Sequence, residues 1–283
     1  MSVAPIVRAA ARFAATLLLA GVAGAVLVCL APGTGLDEQA LDQRLSAESL
    51  AALAAERAAE RDPVRFVPRY LWGLARGDLG KSQAFNQPVA SLIGERWPVT
   101  VRAMALGLGA AWMAGFALAL GAASGRLAPV KILSHGAAGV IVASPAALLA
   151  LLLAAERMPA WIGIGIVAFP KIYTSSEAVL REAFARPWVS AARARGAGGL
   201  RVLAAHVVLP SAKPLAALAA VSVPLALGSS VPLEALGGHP GLGQLAWRAT
   251  LARDVNLLVG MTLMIAAVTL ISNMISGTVE EAR

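Results

Sequence analysis

Long apolar stretches separated by polar connections dominate the pattern of this chain. Six stretches come close to or exceed the roughly 20 residues that a helix needs to cross the hydrocarbon layer of a membrane: Phe13–Ala31, Ala103–Gly125, Ile132–Ala155, Met158–Ser176, Pro214–Leu233 and Val255–Thr278. Because lipid offers no hydrogen-bond partners to backbone groups, spanning segments are helices, and the shorter alternating segments of a barrel are not seen. The pattern predicts an all-α polytopic membrane protein with about six transmembrane helices.

The polar connections divide the chain into three predicted parts. Residues 1–31 form a cytoplasmic tail and the first transmembrane helix, and residues 32–98 form an extracytoplasmic segment. Within that segment, the Ala-, Leu- and Glu-rich residues 41–60 predict a surface helix. Residues 66–97 contain aromatic residues, Gly and Pro, which predict an element at the membrane interface. Residues 99–283 form the core transmembrane domain.

Basic residues lie mainly on one side of the predicted spans and orient the protein. Six Arg or Lys residues lie in the core domain's long polar loop, residues 177–213. Others precede the first span or separate the second from the third: Arg8, Arg12, Arg126 and Lys131. Cytoplasmic loops of membrane proteins carry an excess of Lys and Arg. The loop 177–213 and both termini are therefore predicted to be cytoplasmic.

Composition supports a membrane protein and argues against nucleic-acid binding. Of the 283 residues, 58% are hydrophobic and 14% are charged, whereas soluble domains carry about 25% charged residues. The net charge is +8. Nucleic-acid binders group such charge on one soluble face, often with aromatic residues, but here it lies between apolar stretches. We expect a lipid bilayer as the environment and no nucleic-acid partner.

Two glycine-rich stretches imitate nucleotide-binding motifs without the required context. Residues 77–82 read Gly-Asp-Leu-Gly-Lys-Ser like the end of a phosphate loop, but Ala75 stands where that pattern needs Gly. Residues 163–168 imitate a dinucleotide fingerprint inside the fourth apolar stretch, where close helix packing explains the glycines better. The histidines show no zinc-type spacing, and Cys29 is the only cysteine. We expect no catalysis, no cofactor and no metal.

The cytoplasmic loop carries the most informative local pattern. A short Ala/Arg helix is predicted to begin near Pro187 and to stop at Gly196, because Pro suits the first helical position and Gly suits the position after the last. A second helix is predicted from about Leu200 to Pro210. Small side chains with flanking Arg make a compact knob that another protein could receive in a groove. A solvated basic loop without a partner is the alternative.

This loop resembles the signature cytoplasmic loop of binding-protein-dependent ABC importer permeases. In that family an Ala-Arg-Ala-Lys-Gly run is followed by a His ten residues beyond the Gly, and residues 192–196 with His206 match that spacing. Arg195 stands where Lys is usual in the family, and Trp188 stands where Tyr is usual. The resemblance implies that the loop docks into a cleft on a separate ATPase, with coupling residues Trp188, Ala191, Ala192, Arg193, Ala194, Arg195, Gly196, Arg201 and His206.

Two further stretches are similar to the dipeptide, oligopeptide and nickel branch of this family, in its first-permease type. One precedes the second span and ends in Arg-Trp-Pro-Val-Thr at residues 96–100; the other follows Glu234, and Asp254 fits the family's Asp before the last span. The resemblance implies that part of each stretch lies on the side of the binding protein. These residues are Arg76, Gly77, Asp78, Leu79, Gly80, Pro240, Gly241, Leu242 and Gly243.

The resemblance implies a type I ABC importer permease architecture in the bacterial cytoplasmic (inner) membrane. This chain would form half of a translocation pathway, together with a second homologous permease subunit. Two cytoplasmic ATPase subunits and an extracytoplasmic solute-binding protein would complete the importer, so the chain would be a non-catalytic transport subunit. Peptides are the first expected cargo, ahead of nickel and other small solutes.

Lys171 and Glu234 are the candidate pathway residues. Among the apolar stretches only the fourth carries a formal charge, Lys171, and an ionisable residue within a span is a functional candidate that could pair with a cargo carboxylate. Alternatively, Lys171 lies near the cytoplasmic end of its span and snorkels to the interface, which the cost of a buried ammonium group favours. Glu234 directly follows the fifth stretch.

Two other classes of function are considered. An ion-gradient-driven secondary transporter would need paired intramembrane acids or broken helices, and no Asp or Glu lies within the six apolar stretches. A non-transporting membrane scaffold would recruit cytoplasmic proteins through the same loop. Vesicle uptake that requires ATP and a separate binding protein distinguishes an importer from both.

Overall fold

The computed structural model describes residues 13–24, 26, 68–70, 72–74, 76–125 and 128–281. Within these ranges the chain is helical, with one isolated antiparallel bridge between Lys81 and Pro88. Several features predicted from the sequence lie outside the described residues: the surface helix at 41–60, Cys29, Arg8, Arg12 and Arg126.

The described ranges contain helices that follow one another with short connections. In chain order they are α1 Phe13–Gly24, α2 Val89–Ala123, α3 Ala128–Ala143, α4 Ala146–Ala155, α5 Ala160–Phe184, α6 Pro187–Ala194, α7 Gly199–Val202, α8 Ala212–Leu236, α9 Leu242–Ala252 and α10 Val255–Glu281. A π-helical turn, Leu203–Val208, continues α7. Each predicted apolar stretch lies largely on helix in its described part, so the all-α prediction is confirmed.

Three helices in the described part, α2, α8 and α10, are long and apolar enough to cross a membrane. The third predicted span is not one straight helix. α3 and α4 are long and apolar enough to cross a membrane only when taken together, and the pair bends by 97°. Pro145 stands at the break, where its missing N–H and its ring oppose a continuous helix. α5, with 25 residues, is long enough but less apolar. The protein is polytopic, and the number of six crossings stays a prediction.

By its contacts the chain divides into two compact units. The first comprises residues 1–98 and 244–267. Here α1 approaches α10 closely, since a Cβ on Gly21 would lie 2.9 Å from the side chain of Leu263. A buried apolar cluster joins the helical turn before α2 to α10 through Tyr70, Val255, Val259 and Leu263. The predicted three-part division stays a prediction.

The second unit comprises residues 99–243 and 268–283, and α5 is its central helix. α5 packs against α3, α4 and α8, and glycines bring it close to α2. A Cβ on Gly107 would lie 2.6 Å from the carbonyl oxygen of Trp161, and one on Gly165 would lie 3.1 Å from the carbonyl oxygen of Gly107. The glycines that imitate a dinucleotide fingerprint therefore serve helix packing, as the sequence predicted.

Candidate functional site

Residues 187–208 lie in the loop predicted to be cytoplasmic, and we call them the cytoplasmic knob after that prediction. They begin with the short helix predicted from the sequence. Pro187 starts α6, where a missing N–H is tolerated. At the other end Gly196 has φ +81°, and its N–H donates to the carbonyl oxygen of Arg193 at 2.9 Å. The N–H of Ala197 donates to the carbonyl oxygen of Ala192 at 3.1 Å. This pair of bonds is a Schellman cap, which fixes the helix end.

Small apolar side chains anchor the knob to the core of the second unit. Val189 and Ala192 of α6 are buried, as are Val202 and Val207 in and after α7. They belong to one cluster with residues of α2, α3 and α5, namely Ala119, Ala122, Ala138, Tyr173, Leu180 and Ala183. Because this cluster is close-packed, a displacement of the knob would displace these helices with it.

The outer face of the knob combines one aromatic ring with small and basic residues. Trp188 is 44% exposed, and its Nε1–H donates to the carbonyl oxygen of His206 at 3.1 Å. The guanidinium carbon of Arg186 lies 5.5 Å from the centre of the Trp188 ring. Of the predicted coupling residues, Ala192 is buried and His206 is half-buried. The others, besides Trp188, are exposed: Ala191, Arg193, Ala194, Arg195, Gly196 and Arg201.

An open groove of about 540 Å³ lies between the knob and the end of α2. Leu120, Phe184 and Leu203 line it with apolar surface, and Arg193 adds a positive charge. Leu200 also lines the groove and is 83% exposed. The loop pattern did not single out Leu200, although an apolar residue among Gly and Arg is the signal that could have found it.

A polar cluster that the sequence did not single out joins α3 to α5. The carboxylate of Glu177 is buried, and its Oε1 lies 3.7 Å from Nζ of Lys131 and 3.8 Å from Nη1 of Arg181. The hydroxyl of Ser134 donates to Tyr173 Oη at 2.6 Å. These bonds and ion pairs hold the first half of the bent pair to the helix that carries the knob.

The stretch Arg76–Gly80 forms a tight turn before α2. Gly77 and Gly80 have φ values of +79° and +78°, a region that L side chains rarely adopt. Oδ1 of Asp78 accepts the N–H of Gly80 at 2.8 Å, an Asx turn that defines the bend. The Gly-Asp-Leu-Gly run therefore encodes a turn.

Tyr70 and Trp72, which precede this turn, differ in their exposure to solvent. Trp72 is 65% exposed, and the guanidinium carbon of Arg76 lies 4.6 Å from the centre of its ring. Tyr70 is buried, and burial, with a smaller effect of the Asp78 charge, raises the pKa of Tyr70 to about 12. The turn thus rests on a phenol that stays neutral at physiological pH.

Asp254 is buried and ties the segment after this turn to the start of α10. Its Oδ2 accepts the hydroxyl of Ser82 and the N–H of Ala84, the latter at 3.0 Å. Its Oδ1 accepts the N–H of Leu257 at 3.0 Å, as a helix N-cap does. Lys81 and Ser82 therefore belong to a turn held by a carboxylate, which agrees with the rejection of a phosphate loop.

Glu234 and the Pro-Gly-Leu-Gly stretch, predicted separately, meet in one buried cluster. α8 runs three residues beyond the predicted apolar stretch and includes Glu234, which is fully buried. Its Oε2 accepts the hydroxyl of Thr100 at 3.1 Å and the N–H of Gly243 at 2.7 Å. The N–H of Leu242 donates to Oγ1 of Thr100 at 2.8 Å. A Cβ on Gly241 would lie 2.6 Å from Oε1 of Glu234.

Lys171 lies on the exposed side of α5. At a rise of about 1.5 Å per residue it is about 20 Å from the last residue of the helix, Phe184. Thr174 and Ala178 continue the same face and are also exposed. The opposite face is buried in the second unit through Ile164, Ala168, Ile172, Tyr173, Ser176 and Leu180. α5 thus presents one lysine on a face that its own unit leaves uncovered.

Comparison with known proteins gives the setting for these clusters. The profile of the family described as the inner membrane component of binding-protein-dependent transport systems matches residues 115–281. The chain belongs to this family. The matched residues include the cytoplasmic knob, Lys171 and Glu234 with its turn. The family predicted from the loop motifs is confirmed, and the protein is a multi-pass ABC permease of the inner membrane, a transport component rather than an enzyme.

Curated relatives of this permease carry names from peptide transport. A putative peptide permease protein of Brucella suis is 27% identical over 284 residues, which cover 89% of this chain and 88% of the relative. A putative peptide transport system permease protein of the same species is 26% identical, with 77% and 78% covered. The oligopeptide transport system permease protein OppB of Haemophilus influenzae is 27% identical, with 73% and 74% covered.

Proposed function

We propose that this permease forms half of the translocation pathway of an ATP-driven importer. The cytoplasmic knob is the observation that carries the proposal, because its outer face is exposed while its buried face joins the helix core. Two ATPase subunits would bind the knobs of this chain and of a second homologous permease. A solute-binding protein would deliver the cargo from the extracytoplasmic side. Both termini would be cytoplasmic.

The knob has the properties of a rigid lever. Its first helix is closed by a Schellman cap at Gly196, and Val189 and Ala192 pack on α5 and its neighbours. ATP binding changes the equilibrium between outward-open and inward-open states only if the ATPases contact these states unequally. A rigid helix attached to α5 and α8 gives such contacts a physical route into the membrane.

Peptides are the proposed cargo. The names of the relatives from Brucella suis and Haemophilus influenzae refer to peptides and oligopeptides, and the chain covers most of their length. Nickel or another small solute is a weaker candidate. Mass spectrometry of the ligand that copurifies with the cognate binding protein would identify the cargo directly.

The described residues give little support to a function as a gradient-driven secondary transporter. Glu234 lies in the spanning helix α8, but its partners are a threonine hydroxyl and a backbone N–H rather than a second acid. The break between α3 and α4 occurs at Ser144 and Pro145, and the hydroxyl of Ser144 is bonded to the carbonyl oxygen of Val140. Such a break lacks the ionisable side chain that would bind a coupling ion.

Lys171 is proposed to line the pathway. The face of α5 that carries Lys171 is exposed in its own unit, and an ammonium group on that face could not turn toward lipid at low cost. Snorkelling to the cytoplasmic interface is the competing role, because the predicted span ends at Ser176, about 8 Å along the helix from Lys171. A water-filled pathway satisfies the ammonium group and lets it attract a cargo carboxylate.

Exchange of Lys171 for Met tests this role. Uptake of a peptide with a free carboxylate should fall about tenfold, because one charge-assisted contact is lost, whereas uptake of the amidated peptide should change little. Lys81→Met, at an exposed lysine of the extracytoplasmic turn, is the control. Equal uptake of both peptides by wild type and Lys171→Met would remove the proposed role.

Reconstitution tests the proposed function as a whole. The permease, its partner permease and the ATPases are placed in vesicle membranes. The binding protein and a labelled peptide are enclosed in the lumen, which corresponds to the extracytoplasmic side. Uptake should require both ATP and the binding protein. Uptake driven by a proton or sodium gradient without ATP would reject the importer.

A further inference from the structure

We infer that Glu234 is a positioning residue, which holds the turn 237–241 and the first turn of α9 in place beneath the surface offered to the binding protein. The inference rests on the proposed function, since it concerns the extracytoplasmic face of the same importer. The prediction that Glu234 lines the pathway is the competing role, and the full burial of the carboxylate in this chain favours positioning over contact with cargo.

The carboxylate joins three segments of the second unit through one oxygen. Oε2 of Glu234, on α8, accepts the hydroxyl of Thr100 on α2 and the N–H of Gly243 in the first turn of α9. Thr100 in turn accepts the N–H of Leu242. The first N–H groups of a helix have no partners within the helix. Here two of them are satisfied by Glu234 and Thr100, which fixes where α9 begins.

The glycines of the turn leave room for this arrangement. A Cβ on Gly241 would lie 2.6 Å from Oε1 of Glu234, and one on Gly243 would lie 2.6 Å from the carbonyl oxygen of Ser230 on α8. Leu242, between the two glycines, is 1% exposed. Within the second unit, the Pro-Gly-Leu-Gly pattern therefore encodes a close approach of Leu242 and Gly243 to α8, next to the carboxylate.

The residues above the carboxylate form the exposed surface of the turn. Leu236 is 39% exposed, and Gly238 and Pro240 are exposed as well. The N–H of His239 donates to the carbonyl oxygen of Glu234 at 3.0 Å. Loss of the carboxylate would free the turn from below without removing any atom of this surface. An effect of Glu234 on binding-protein recognition would thus be indirect.

The experiment uses the complete importer in lipid nanodiscs. Two quantities are measured: the concentration of binding protein that gives half-maximal ATPase stimulation, and the rate of proteolytic cleavage within 237–241. In Glu234→Ala the half-maximal concentration should rise about tenfold, since one buried hydrogen-bond acceptor that serves two donors is lost, and cleavage should accelerate. Glu234→Gln keeps an acceptor oxygen and should stay within about threefold of wild type. Glu156→Gln, at an exposed carboxylate, is the control.

The outcomes separate the positioning role from the other possibilities. A Glu234→Ala variant with reduced maximal uptake but unchanged half-maximal concentration and cleavage would return Glu234 to the pathway and overturn the inference. Should Glu234→Ala fail to assemble, Thr100→Val decides through the same two measurements, with a rise of about threefold expected and no change contradicting the inference. Wild-type uptake without ATP would reject the proposed function, while cleavage rates would still report on the turn.

Discussion

The cap of the cytoplasmic knob allows a substitution whose energetic effect is almost purely conformational. Gly196 has φ +81°, and a Cβ added there would meet no atom within 4 Å. Gly196→Ala therefore introduces no clash, but it places an L residue in the left-handed region at a cost of about 1–2 kcal/mol. Gly196→Asn should cost less, because Asn tolerates this region. We expect the order Gly, Asn, Ala for the stability of the cap.

Hydrogen exchange measures this cost where it arises. The N–H groups of Gly196 and Ala197 make the two bonds of the cap, so their protection should fall about 5- to 30-fold in Gly196→Ala, in line with 1–2 kcal/mol. In reconstituted vesicles the same variant should use more ATP per peptide imported, because a loose knob transmits less of the ATPase motion. Gly199→Ala places the same methyl group at the first position of α7, outside the left-handed region, and should leave both measurements near wild type.

Two results would refute this reasoning. Equal protection in wild type and Gly196→Ala would show that the cap does not hold the knob. Loss of protection with an unchanged ratio of ATP used to peptide imported would show that the cap exists but that coupling does not depend on it. An equal loss in Gly199→Ala would point to a general effect of an added methyl group.

Three further substitutions, two of them with a control variant, test the packing within each unit. Asp254→Ala should lower the free energy of unfolding in detergent by about 3 kcal/mol, since a buried acceptor with several donors is lost. Asp78→Ala, in an exposed turn, is its control and should lower the free energy of unfolding by less than about 1 kcal/mol. Gly243→Ala should cost about 1–3 kcal/mol by overpacking against α8, while Gly228→Ala, with open space around it, should be neutral or stabilising. Burial raises the pKa of Tyr70 to about 12. The stabilising contribution of the neutral phenol is therefore complete below about pH 10 and is lost as pH rises through 12. Tyr70→Phe should remove this loss of stability at high pH, together with the late step of the phenolate absorbance titration.

Local signals in the sequence were sufficient for the knob and for the membrane class. Pro187 and Gly196 predicted both ends of α6 because helix capping depends on neighbouring residues only. The apolar stretches predicted helices because their length and composition are properties of contiguous residues. The bend at Pro145 was missed, since a proline within an apolar stretch can kink a helix slightly or break it, and the choice depends on what packs around it.

The sequence by itself determined that this protein is a helical membrane permease with a capped knob, whose cytoplasmic side stays a prediction. Family motifs named Glu234, Thr100 and the Pro-Gly-Leu-Gly stretch. Only the tertiary structure decided that these residues meet. Thr100 and Glu234 are separated by 134 positions, and no short-range pattern reports which distant hydroxyl will satisfy a buried carboxylate. The role of such a group depends on its desolvation and its partners, and both arise when the helices pack.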